Sequence, residues 1–167
     1  MFVEQMRQVS GWIVSTAASR TVQGIEGYVA TLQSIHILAI AAVLASSVLI
    51  NLRVLGLIYT SVPVVVIGRR LATAVWCGVA TLVLTGLALL LAEPERSLES
   101  QVFQMKMGLL VVACVLSWLQ LGTVRSQAAN WDAQARVPAS VRVPAMLLLV
   151  VWPLIIFAGR WIAYAQY

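Results

Sequence analysis

Four apolar runs, each long enough to cross a lipid bilayer, dominate this chain: about 28–49, 71–92, 103–122 and 143–164. A helix rises 1.5 Å per residue, so about 20 apolar residues traverse the hydrocarbon layer. Of the 167 residues, 61% are hydrophobic and 10% charged. A soluble domain carries roughly 25% charged residues, and a water-soluble fold of this size cannot hide so much apolar side chain. None of the runs shows the alternation of a barrel strand. The sequence therefore predicts an all-α fold, a four-transmembrane-helix bundle forming a single integral membrane domain over residues 1–167. Pro144 falls in the first turn of the fourth run, where its missing N–H costs nothing. Pro153 falls in the middle and predicts a kink.

The connections between the runs differ in charge. The first holds Arg53, Arg69 and Arg70 and no acid; the third holds Arg125, Arg136 and Arg142 against Asp132 alone. The second holds Glu93, Glu95 and Glu99 against Arg96 alone. The positive-inside rule places the first and third connections in the cytoplasm, with the acidic connection and both termini outside. This is the expected arrangement for a multi-pass protein of the bacterial inner membrane. The net charge of +5 is then a topology signal, not one for nucleic acid.

The first 27 residues are too polar to span. Glu4, Gln5, Arg7 and Gln8 also leave no apolar core for a signal peptide. Phe2, Met6, Val9, Ile13 and Thr16 recur at helical spacing, which predicts an amphipathic helix on the outer interface, with a break expected at Ser10-Gly11.

His36 is the only histidine, and it lies inside the first apolar run. An imidazole in hydrocarbon is costly without a partner, which marks the position as a functional-site candidate. The predicted topology sets it about 12 Å below the outer entry of its helix. Gln33 shares its face. Thr85 and Gly86 of the second span sit at similar depth, and Gly86 lets a helix or flat ligand approach its backbone. Lys106 and Gln104 occupy the outer turns of the third span, and Arg160 the outer end of the fourth. Snorkelling to the interface accounts for Lys106 and Arg160 equally well. Asn51 is expected to cap or brace Arg53. Cys77 and Cys114 lack the spacing of a metal or redox motif.

Read in order, Gln33-Ser34-Ile35-His36-Ile37-Leu38-Ala39-Ile40, Asn51-Leu52-Arg53-Val54-Leu55-Gly56, Leu84-Thr85-Gly86-Leu87 and Val102-Phe103-Gln104-Met105-Lys106 form one pattern. It resembles a family of small bacterial four-helix integral membrane proteins of unknown function. Members of that family read Glu-Thr-Leu-His-Ile-Leu-Gly-Ile-Ala, Asp-Leu-Arg-Leu-Leu-Gly, Thr-Gly-Leu and Ala-Phe-X-X-Lys. Gly159-Arg160-Trp161 looks like the family's ending. This chain departs from the pattern at Gln33, Ala39 and Asn51, where the family has an acid, a glycine and an aspartate. The resemblance implies fold and topology but no activity.

Four readings of function stay open. The chain is the membrane subunit of a redox complex, binding haem b through His36 as the iron ligand, with Gln33, Gly86, Lys106 and Arg160 around the cofactor and Met105 or another copy's histidine as sixth ligand. Alternatively His36 and Lys106 hold a quinone, or the subunit anchors a partner without any cofactor. A small-solute transporter is the fourth. A homo-oligomer or a partner redox subunit is expected beside the lipid bilayer. There is no Walker loop, HExxH motif or Ser–His–Asp set, so the isolated chain is not expected to be an enzyme.

Overall fold

The computed structural model describes residues 2–134 and 137–161. Seven helices follow in order: α1 (Phe2–Ser15), α2 (Ala17–Gln23), α3 (Tyr28–Val54), α4 (Val64–Ala92), α5 (Pro94–Leu98), α6 (Gln101–Gln134) and α7 (Ala139–Trp161). No strand forms among the described residues. Helices α3, α4, α6 and α7 are each long and apolar enough to cross a membrane. They pack as a closed ring in that order, so α3 faces α6 and α4 faces α7 across the diagonals. The outer surface carries Ile37, Leu38, Leu84 and Phe157, each more than 60% exposed. Such a surface suits lipid, because apolar side chains there displace no water.

The helices outrun the apolar runs. Helix α4 begins at Val64, not near Leu71, and α6 continues past Gly122 to Gln134. Arg69, Arg70 and Arg125 in these extensions are exposed. Hydropathy ends where charges appear, whereas helical hydrogen bonding carries on through the charged residues. Residues 162–164 of the expected fourth span lie outside the described residues. Helix α3 stops where Gly56 adopts φ +77°. The amide of Leu57 reaches back to Leu52 O at 2.9 Å and that of Gly56 to Arg53 O at 3.0 Å, a glycine-terminated end that satisfies the last carbonyls.

The ends of the bundle are distinguished by charge. At the acidic end, α1 lies against α5 and α2 against α4. Helix α1 runs unbroken through Ser10-Gly11, and the break comes at Thr16. Its hydroxyl accepts from Ser19 N at 3.3 Å and so caps α2, a stronger signal than a glycine with room around it. Ser19 Oγ donates to Leu91 O at 2.8 Å and Gln23 Nε2 to Ala92 O at 3.1 Å. The N-terminal segment thereby satisfies carbonyls at the end of α4 that have no partner within the helix. Arg7 pairs with Glu99 at 3.4 Å and Ser10 donates to the same carboxylate. Trp12 stays 70% exposed, as suits a ring at the headgroup level.

Two apolar layers fill the bundle. Ala39, Val43, Leu82, Ala113, Leu148 and Trp152 build one; Ile50, Val75, Leu121, Val124 and Val141 are central to the other, towards the basic end. Close approach of α3 and α4 depends on Gly78. A Cβ placed there would overlap Val43 Cγ2.

Candidate functional site

Two polar clusters interrupt the apolar interior. The first joins α3 to α4. His36 is half-buried and its Nδ1 lies 2.7 Å from Thr85 Oγ1. Thr85 is buried, and its hydroxyl donates to Thr81 O at 2.7 Å. A hydroxyl has one proton and a carbonyl can only accept. With that proton given to Thr81, the bond to the ring requires Nδ1–H as donor. The network thus assigns the Nδ1–H tautomer to neutral His36 and leaves Nε2 with an uncommitted lone pair. A metal-binding imidazole is held in the same manner, with its other nitrogen fixed by a hydrogen bond.

Gly86, one residue past Thr85, runs beside the ring. A Cβ there would stand 3.7 Å from His36 Cε1, an ordinary contact. Its bare backbone leaves a methyl-sized space along the imidazole edge. Across the ring of helices, Lys106 on α6 is half-buried and lies along α7 at Gly159. A Cβ at Gly159 would stand 3.2 Å from Lys106 Nζ, so that glycine makes the groove in which the ammonium rests. Lys106 forms no ion pair among the described residues. Helix α3 therefore offers a lone pair against α4, and α6, diagonally opposite in the ring, an ammonium against α7.

The remaining predicted positions are arranged differently. Gln33 sits one turn from His36 on the exposed side of α3. Met105 is 62% exposed and Arg160 is exposed near the end of α7. Gly159 was not singled out from sequence, because a glycine's role appears only with the side chain that fills its place.

The second cluster lies nearer the basic end and was missed. Asn51 is buried and donates through Nδ2 to Ser47 Oγ at 3.1 Å; Gln120 Nε2 donates to Asn51 Oδ1 at 2.9 Å, bridging α3 and α6 across the diagonal. Buried Ser117 completes a void of about 10 Å³ among these side chains. A glutamine between Leu119 and Leu121 carries the same cost in hydrocarbon as His36, and that signal would have found it. Asn51 therefore braces α6, whereas Arg53 donates through Nε to Val62 O at 2.7 Å. A double-mutant cycle of Asn51→Ala and Gln120→Ala, read by thermal unfolding in detergent, is expected to give a coupling of about 0.6–1.7 kcal/mol, the range for hydrogen bonds between membrane helices. Strict additivity would remove the bond. Among the described residues no cluster of three or more metal-ligating side chains forms.

The sequence profile of a family of unknown function (DUF6644) matches residues 12–165, and the chain belongs to that family. No curated protein and no solved structure matches it.

Proposed function

We propose that this DUF6644 member is the membrane subunit of a redox complex and binds haem b through His36 Nε2. The observation that carries the reading is the Nδ1–Thr85–Thr81 relay, which fixes the ring and leaves Nε2 as the ligating nitrogen. Lys106 would neutralise a propionate. The group would supply one-electron transfer, and the chain's own residues orient the ligand, balance charge and exclude water. The charge asymmetry of the connections supports setting this site in the outer half of the membrane.

The sole histidine would supply one ligand to the iron, and Met105 turns towards the surface. A second protein ligand would have to come from another copy. Carbon monoxide added to the reduced, haem-loaded protein tests this: with His36 as the one protein ligand, the Soret band should shift at once. Thr85→Val keeps the size of the side chain and deletes the relay. It is expected to retain haem while lowering its affinity about 10- to 100-fold, the usual effect of removing a ligand's orienting partner. Titration of apoprotein with haemin measures it. Unchanged affinity would show that the threonine does not orient the ligand.

A second reading is favoured by the absence of a carboxylate partner for Lys106 among the described residues. An acceptor on His36 and a donor on Lys106 suit the hydroxyl and carbonyl of a quinol–quinone pair. A photoreactive quinone analogue distinguishes it by labelling α3, α4 or α6 near His36; labels confined to the basic end would contradict it. Transport is less well supported. The two polar clusters are separated by the Ala39–Val43–Trp152 layer, so apolar that Trp152 Nε1 finds no acceptor among the described residues.

A further inference from the structure

We propose that the basic end of the bundle carries a second binding site, for a phosphate-bearing anion. A cavity of about 490 Å³ opens between the end of α3, the start of α4, α6 and the first turn of α7. That volume lies within the range of small-molecule sites. Arg53, Arg142, Thr60 and Ser61 line it, with buried Trp131 beside them. The described lining thus holds two guanidiniums and two hydroxyls and no carboxylate. Guanidinium forks and hydroxyl donors are the chemistry that recognises phosphate oxygens.

The cavity wall is shaped by backbone geometry. Gly56 turns the chain out of α3 at φ +77°, and Tyr59, a side-chain-bearing residue, takes φ +49°. Such a conformation is disfavoured for a residue with a side chain and persists only where the surroundings enforce it. The turn closes with Val62 N donating to Tyr59 O at 2.9 Å. Arg53, only 8% exposed, then anchors the far side of the loop through Val62 O. A buried arginine and a strained loop hold Thr60 and Ser61 at the rim. The positive-inside rule sets this end at the cytoplasmic headgroups, where basic pockets between membrane helices take anionic lipids. Lipid headgroup and free phosphate share the chemistry.

Native mass spectrometry of the full chain, delipidated in detergent and offered phosphatidylglycerol or phosphatidylcholine, tests the lipid source. Calorimetry with inorganic phosphate tests the soluble one. Wild type is expected to retain phosphatidylglycerol in preference to phosphatidylcholine. Arg142→Gln should weaken retention about tenfold. Arg125→Gln, an exposed charge on α6 outside the cavity lining, should weaken it less than about twofold. Thr60→Val with Ser61→Ala should weaken it without a change of charge. Saturable phosphate binding that Arg142→Gln abolishes would establish the site with a soluble ligand. Equal losses in Arg142→Gln and Arg125→Gln would overturn the proposal, as would wild type that prefers neither lipid and binds no phosphate.

Discussion

Replacing Gly78 with leucine is expected to prevent stable packing of α3 on α4. Even the first side-chain carbon at this position would overlap Val43 Cγ2, and Val43 is fully buried, so it has nowhere to yield. Alanine must already push the helices apart, at a cost of about 1–3 kcal/mol for an overpacked core. Leucine adds three further carbons, and the contact that positions Thr85 against His36 separates with it. Small residues matter more here than in a soluble core, because helix association in lipid draws on close packing and not on the exclusion of water. Thermal unfolding in detergent reads the effect: a large loss for Gly78→Leu, a smaller one for Gly78→Ala, and recovery when Val43→Ala accompanies Gly78→Ala. Wild-type unfolding of Gly78→Leu would mean that α3 and α4 do not meet at this position.

His36→Ala should cost little stability and nearly all of the bound haem. Among the described residues the ring makes one hydrogen bond, to Thr85, and it is half-buried, so its loss changes the unfolding free energy by about 1 kcal/mol. On the proposed reading, the iron would lose the ligand that this chain supplies. Haem content after purification should fall below about a tenth of wild type, taking one imidazole–iron bond as the main source of affinity. Unfolding measured on the same sample separates this outcome from misfolding. A folded His36→Ala protein with full haem content would refute the ligand assignment, while leaving the bundle and the phosphate site untouched.

The spans were legible because hydropathy alone decides which segments enter lipid. Their ends were not, because Arg69, Arg70 and Arg125 sit on helix that continues past the apolar runs. The break in the N-terminal segment was expected at Gly11 and lies at Thr16, since a capping hydroxyl ends one helix and starts another where a solvated glycine need not. His36 announced itself by its cost in hydrocarbon, and Thr85 and Gly86 were placed at its depth by counting residues. That Thr85 settles the tautomer could not be read, because it depends on the carbonyl of Thr81 accepting the hydroxyl proton. Gly159 and Gln120 escaped for different reasons. The first is meaningful only with Lys106 lying over it, whereas the second obeys the rule applied to His36 and was overlooked among its leucines.

Ligation of haem iron by His36 Nε2, as proposed, is tested most directly by the visible absorption spectrum of the purified chain. The reduced-minus-oxidised difference, recorded as isolated and after addition of haemin, is the measurement. A Soret band and sharpened bands at longer wavelength are expected, saturating at one haem per chain, or per two chains if copies share it. A folded preparation that shows no such bands, and gains none with haemin, would contradict it.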